Sequence, residues 1–295
     1  MITISDYLKN KYGCKVYKLS LQTGCTCPNR DGTKGTGGCI FCSEDGSGDF
    51  ASPLLPIDEQ IRLAKEKVDA KFPKTTSERK YIAYFQSFTN TYGDVGSLEA
   101  LFKSAISHNE IVGISIGTRP DCLQDDVIDM LCRLNSIKPV WIELGLQTSS
   151  DETAHLINRC YDLAEFEDGY RRLKEHEIYT VIHMIVGLPG ESEEMIINTA
   201  RYIGSLDPLP DGIKIQLLHI LQGTALAKMY ENEPFHILTL DEYCDLVKKI
   251  LDILPEDIVI HRLTGDGPKS LLIEPKWSAD KKRVMNTMKK FLNGV

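Results

Sequence analysis

No apolar run in this chain approaches the ~20 residues that a membrane-spanning helix needs. The opening stretch, MITISDYLKNKYG, has no apolar secretory leader. These two absences predict a cytoplasmic protein with no membrane partner. A complete disulfide framework is also missing, because nine cysteines are an odd number. Positive charge is in deficit: 34 Lys and Arg face 42 Asp and Glu, for a net −8. That argues against an indiscriminate nucleic-acid binder. Core material is not lacking. With 295 residues, 42% hydrophobic and 26% charged, the composition is that of a soluble barrel-sized domain.

One local shortage says most. The glycine-rich run CPNRDGTKGTGGCIFC carries three cysteines, Cys27, Cys39 and Cys42, and no fourth. Such a loop holds too little apolar material to pack by itself, so a metal centre would order it. A structural zinc site wants four protein ligands. An iron–sulfur cluster held by three thiolates keeps one iron open for a small molecule. A zinc knuckle remains as the alternative, with Cys14 or Cys25 as its fourth ligand.

Charge is unevenly spread. Residues 1–34 carry +4 and residues 269–295 carry +5, which leaves −17 for the middle. Basic ends on an acidic body are either solvated faces or, if they fold to one side, a phosphate-binding rim.

The pattern alternates strand and helix. Apolar, β-branched runs fall at 15–21, 80–85, 111–116, 140–146, 179–186 and 212–220. Amphipathic helical stretches fall between them at 57–72, 97–107, 123–134, 162–176 and 191–205. Asp58, Ser97, Asp121 and Ser192 are the expected N-caps. Near-continuous apolar strands alternating with helices predict a buried parallel sheet. The expected fold is α/β, a partial (β/α)6 TIM-like barrel with a C-terminal α/β extension. The core is residues 1–220, with its cysteine loop at 22–48. Residues 221–295 are expected as a helix at 240–254, a short strand at 258–263 and a helix at 279–292, packed on the core and not an independent domain.

Parallel barrels place their active sites at the C-terminal ends of the strands. Polar and glycine residues gather at those ends: QSFTNTYG (86–93), SIGTRPD (115–121), ELGLQTS (143–149), IVGLPGE (185–191) and QLLHILQGT (216–224).

These segments, with the cysteine loop and the run RLTGDGP…WS, resemble the radical SAM superfamily over essentially the whole chain. The resemblance is to its elongator-catalytic-subunit-like branch, in particular the small YhcC/YtqA-like proteins. The long gap between the first two cysteines agrees with that branch. The chain is expected to lack the acetyltransferase domain of the elongator subunit. The resemblance implies a 4Fe-4S cluster on Cys27, Cys39 and Cys42, with S-adenosylmethionine on the open iron. One electron from the cluster would cleave the sulfonium and yield a 5′-deoxyadenosyl radical that abstracts hydrogen. The protein would supply position, tuning and exclusion of water.

Site roles follow from the same likeness. Phe41 would pack beside the adenine. Gln86, Ser87, Thr89 and Asn90 would bind the methionine ammonium through polar oxygens. Ser115 and Thr118 would reach ribose or carboxylate, and Arg119, held extended before Pro120, would anchor a carboxylate or only a surface acid. Glu143 and Gln147 would both face the lumen. Arg159 sits where relatives carry the run NRGH, but Cys160 and Tyr161 replace the glycine and histidine. The backbone from Ile185 through Val186, Gly187 and Leu188 would edge the adenine, with Gly190 allowing close approach. Substrate candidates are Tyr92, His183, His219, His261, Arg262 and Asp266. Strict alternation keeps Gln216 and His219 on opposite faces.

The favoured function is modification of a tRNA wobble-uridine side chain, namely processing of a carboxymethylaminomethyl group. Its partners would be tRNA and a reductant such as flavodoxin or ferredoxin. The competing readings are a radical SAM enzyme on a small metabolite and a zinc-structural binding protein.

Overall fold

The computed structural model describes residues 1–46, 51–72, 78–265 and 267–293. Its strands are β1 (Ile2–Thr3), β2 (Val16–Leu21), β3 (Lys80–Phe85), β4 (Ile111–Thr118), β5 (Val140–Gln147), β6 (Tyr179–Val186), β7 (Gly212–Leu217), β8 (Ile220–Leu221), β9 (Val259–Arg262) and β10 (Leu272–Glu274). Its α-helices are α1 (Ile4–Tyr12), α2 (Ile57–Asp69), α3 (Val95–Ser107), α4 (Asp125–Asn135), α5 (Asp151–Leu156), α6 (Leu163–Glu175), α7 (Glu193–Ser205), α8 (Ala225–Asn232), α9 (Leu240–Ile253) and α10 (Lys281–Asn293). None of the described helices is long and apolar enough to cross a membrane.

Eight strands form one sheet in the order β1-β9-β7-β6-β5-β4-β3-β2. Every neighbouring pair in it is parallel. The sheet curls into a half-barrel, so that side chains from β2 and from β7 line one lumen. Alternation along β2 shows how the two faces divide. Leu19 and Leu21 are buried against the helices, while Lys18 and Ser20 turn to the lumen. The apolar face of the sheet and the inner faces of the helices make one continuous core, including Phe85, Phe102, Ile116, Ile142, Phe166 and Val247. Each such side chain contributes roughly 1.5–3 kcal/mol by burial.

The N-terminus closes the half-barrel. β1 and β2 are the two outer strands of the sheet, and α1 is the segment between them. It packs on β9 and on β2. Leu8 of this helix meets Val16, Ile82 and Trp141 to form a small apolar floor. Trp141 stacks on Tyr179 at 5.0 Å between ring centres.

The six expected strands and five helices are all present, with three differences. The expected strand at 212–220 ends at Leu217, and Ile220–Leu221 pairs instead with β10 in an antiparallel ribbon. The strand expected within the C-terminal extension, β9, is a member of the main sheet and pairs in parallel with β7. Of the four expected caps, only Ser192 caps its helix. Pro56, Asp94 and Gln124 occupy the positions expected for Asp58, Ser97 and Asp121. The hydroxyl and carboxyl side chains misled because the actual caps lie two or three residues away from them.

Candidate active site

A cavity of about 610 Å³ runs from the cysteine loop, at the C-terminal ends of the strands, down to Ile4, Ser5 and Leu8 of α1. That volume suits a small-molecule site. Cys27, Cys39 and Cys42 line its upper end, and Cys14 and Cys25 do not. The loop is shaped by short-range bonds. The Arg30 amide donates to the Cys27 carbonyl, and the Cys42 amide to the Cys39 carbonyl. Gly37 and Gly38 take φ of 78° and 80°, which side-chain-bearing residues rarely adopt. Asn29 lies buried beneath. Its amide donates to the Asn158 carbonyl at 2.5 Å and approaches the Cys39 sulfur at 3.7 Å. A hydrogen bond with Cys42, then burial, pushes the Cys39 thiol well up, whereas Arg119 pulls it down. Cys25 points elsewhere, with its sulfur beside Gly93.

The middle of the cavity is walled by Phe41, Gln86, Thr89, Thr118, Arg119, Gln147 and Ile185. A register shift between Gly145 and Gln147, with Gln147 at φ 63°, keeps its side chain on the lumen side. Tyr161 donates to Gln147 Oε1 and lies between two guanidinium groups, Arg119 at 4.7 Å and Arg159 at 4.4 Å. Cys160, where the resemblance leads one to expect glycine, has φ 59°, a glycine-like backbone. Arg119 is extended, as its proline neighbour demands. Asp121 grips it through two hydrogen bonds of 2.8 and 2.9 Å.

Several expected contacts are not part of the cavity wall. Asn90 is fully buried and holds strand ends together: its amide donates to the Phe85 and Gly117 carbonyls, and its oxygen accepts from Thr23. Arg159 donates to the carbonyls of Leu146, Thr148 and Tyr161. Ser87 is buried with an unpartnered hydroxyl. Tyr92 shares a hydrogen bond with Thr33, Gly187 bends under Leu238, and Leu188 packs in a satellite apolar cluster. Asp266 lies outside the described residues, as do the last two positions of the loop at 22–48.

The lower lumen holds a dense polar network that the sequence only half disclosed. Glu143 is completely buried and accepts five donors. Lys18 and Ser115 reach one oxygen at 2.5 and 2.8 Å. Tyr84, His183 and Lys214 reach the other, the first two at 2.8 and 2.9 Å. Burial would raise the Glu143 carboxyl, but Lys18 and Lys214 outweigh it and hold it well below the carboxylate range. Burial, reinforced by Lys214, pushes His183 down to about 4, so its ring is neutral. Nε2 then donates to Glu143, and Nδ1 accepts from Gln216 at 3.4 Å. His219, His261 and Arg262 also line the cavity. Gln216 and His219 share it, against strict alternation, because β7 stops between them. Lys18, Tyr84, Lys214 and Tyr161 were not singled out as site residues. The signal for Lys214 was present: one lysine within the apolar strand GIKIQL.

A parallel half-barrel with thiols and polar groups gathered at its strand ends has the architecture of a barrel-type enzyme. Residues 26–203 match the model of the Radical SAM superfamily, and residues 210–293 match that of the Radical_SAM C-terminal domain. The chain belongs to the radical SAM superfamily, whose cofactors are a 4Fe-4S cluster and S-adenosylmethionine. Protein YtqA of Bacillus subtilis is 44% identical over 291 residues, 98% of this chain and 88% of that protein. The tRNA uridine(34) acetyltransferase of Methanocaldococcus infernus is 25% identical over 164 residues, 55% of this chain and 30% of that protein. The solved structure of N-terminally truncated Elp3 from M. infernus superposes with a TM-score of 0.70 at 18% identity. It covers 93% of this chain and 63% of that one, and shows the same fold.

The residues present fit the cluster. Three partly buried thiols face one cavity end beside an amide donor. Among the described residues no three His, Cys, Asp or Glu side chains converge on a single-ion site.

Proposed function

We propose that this protein modifies the C5 side chain of a tRNA wobble uridine, processing a carboxymethylaminomethyl group. The observation that carries this reading is the charge of the cavity. On a chain of net −8, its described wall holds Lys15, Lys18, Arg30, Arg119, Lys214 and Arg262 against one acid, Glu143. An anionic substrate suits such a lining. The likeness to a tRNA uridine(34) acetyltransferase supports uridine as its base.

Cys27, Cys39 and Cys42 hold the cluster in this reading. When bound, cluster and S-adenosylmethionine supply a carbon radical that removes hydrogen from an unactivated C–H bond. This chain's own residues position and shield that chemistry. Phe41 and Ile185 present an apolar wall to the adenine. Gln86, Thr89, Thr118 and Gln147 offer hydrogen bonds to the polar parts of the cofactor. An anticodon base is unpaired, so it can swing into the lumen at small unstacking cost. The apolar floor from Leu8 to Trp141 excludes water below it. The electron comes from a flavodoxin or ferredoxin.

The basic ends serve as docking segments, with one change. Lys15 and Lys18 line the cavity, which leaves Lys9 and Lys11 at one end and Lys276, Lys281, Lys282 and Arg283 at the other. Phosphate contacts of this kind position RNA without reading its sequence.

Binding of bulk tRNA tests the reading. Affinity should fall steeply as salt rises from 50 to 200 mM, and charge reversal at Lys281, Lys282 and Arg283 should weaken it. Absence of tRNA binding at low salt would favour a small-metabolite substrate.

A further inference from the structure

We propose that Lys18 and Lys214, held by Glu143 at the base of the lumen, form a receptor for a carboxylate of the substrate. The inference rests on the wobble-uridine reading for the identity of that substrate, and on the lumen alone for its charge.

Three observations lead to it. First, two lysines share one carboxylate, the adjoining His183 is neutral and burial holds Lys214 well below its ordinary value, so full protonation of both lysines would leave one positive charge in excess. Burial makes such an excess costly unless an anion completes it. Second, donors and acceptors are out of balance. A carboxylate has about four lone-pair sites, and five donors already crowd those of Glu143. Lys18 has three N–H groups, of which one meets Glu143 at 2.5 Å and a second only approaches Ser115 at 3.5 Å. Its side chain is 23% exposed and lines the cavity, so it can donate into the open space. A spare donor facing open space suits a ligand that accepts hydrogen bonds. Third, the depth is right for a substrate tail. Glu143 lies four residues before Gln147 at the end of β5, at most roughly 13 Å of strand below it at 3.3 Å per residue. In the proposed reading the cysteine loop at the upper end of the cavity would hold the cluster and the amino-acid end of S-adenosylmethionine, so an anion at the base would be a different one. Burial also depresses Lys214, and a second anion there would favour its charged form.

Two probes differ only in that charge: 5-carboxymethylaminomethyluridine as free acid and as methyl ester. Each is titrated anaerobically into the cluster-loaded protein with S-adenosylmethionine and no reductant. The free acid should bind at least about tenfold more tightly, as a charge-assisted hydrogen bond implies. Lys18→Gln should reduce that preference to below about threefold, and Lys18→Arg should keep most of it. Equal binding of acid and ester by the unaltered protein, no binding of either, or a preference that survives Lys18→Gln would overturn the receptor. A parallel titration with an anticodon stem-loop separates the two ideas. A stem-loop that binds regardless of acid or ester overturns the receptor and leaves the RNA reading standing. A surviving acid preference without stem-loop binding supports the receptor and removes the RNA.

Discussion

Lys18 on β2 reaches Glu143 on β5 at 2.5 Å, although 125 positions separate them in the chain. That contact crosses the lumen and ties one outer strand of the sheet to its middle. Lys214 reaches the same carboxylate from β7. Glu143 on β5 is therefore the common anchor of five other strands, β2, β3, β4, β6 and β7, and its removal would leave two lysines in a low-dielectric interior.

Glu143→Ala should accordingly destabilise the fold by about 3–5 kcal/mol, the usual cost of breaking a buried ion pair from one side. Glu143→Gln should cost less, because it retains an acceptor. Urea denaturation monitored by circular dichroism measures both. A loss below ~1 kcal/mol for Glu143→Ala would show that the lumen network does not hold the strands.

Asn90 and Gln147 both read as cofactor contacts in the sequence, but the structure gives them different work. Asn90→Ala removes three internal hydrogen bonds and should cost on the order of 2–3 kcal/mol of stability with little change in S-adenosylmethionine affinity. Gln147→Ala removes a side chain from the cavity wall and should weaken that affinity about tenfold or more while sparing stability. Equilibrium binding beside thermal denaturation separates the two. Weakened affinity in Asn90→Ala at unchanged stability would return it to the cofactor pocket.

Glu191 gives a pH signature. Burial lifts its carboxyl to about 7, against hydrogen bonds from Thr148 and Thr153. A carboxyl raised in the folded state contributes most below its unfolded value near 4.5, and that contribution is lost as pH rises through 7. Glu191→Gln cannot ionise. Its stability should therefore gain on the wild type between pH 4.5 and 8, by on the order of 2 kcal/mol after allowance for partial exposure. Parallel denaturation curves at the two pH values would contradict the assignment if the difference between the proteins stayed constant.

The fold was legible because burial writes itself into sequence. Six near-continuous apolar strands alternating with amphipathic helices leave few other arrangements. The cysteine loop was legible for the opposite reason, a segment with no core of its own. The floor and the closing role of α1 were not legible. Nothing in ISDYLKNKY says that β1 pairs with β9, which depends on contacts more than 250 positions away. The lumen network was half legible. Glu143 was expected to face inward, but its partners Lys18, Tyr84 and Lys214 come from three other strands, and register alone brings them together. Arg159 and Asn90 misled because buried polar side chains that bind backbone look, in sequence, like ligand contacts.

The cysteines make the cluster assignment testable without any substrate. Serine at Cys27, Cys39 or Cys42 should abolish the iron–sulfur chromophore near ~400 nm and the bound iron. Cys25→Ser should keep both, since the Cys25 sulfur sits beside Gly93 and does not line the cavity. Full iron content in Cys39→Ser, or its loss in Cys25→Ser, would redraw the ligand set.

The central claim is that radical chemistry at this loop is spent on a wobble uridine. Anaerobic incubation of the cluster-loaded protein with dithionite, S-adenosylmethionine and tRNA carrying 5-carboxymethylaminomethyluridine tests it most directly, read by nucleoside mass analysis beside release of 5′-deoxyadenosine. The account predicts loss of that nucleoside in step with 5′-deoxyadenosine formation, and neither in Cys39→Ser. Formation of 5′-deoxyadenosine with every tRNA nucleoside unchanged would contradict it.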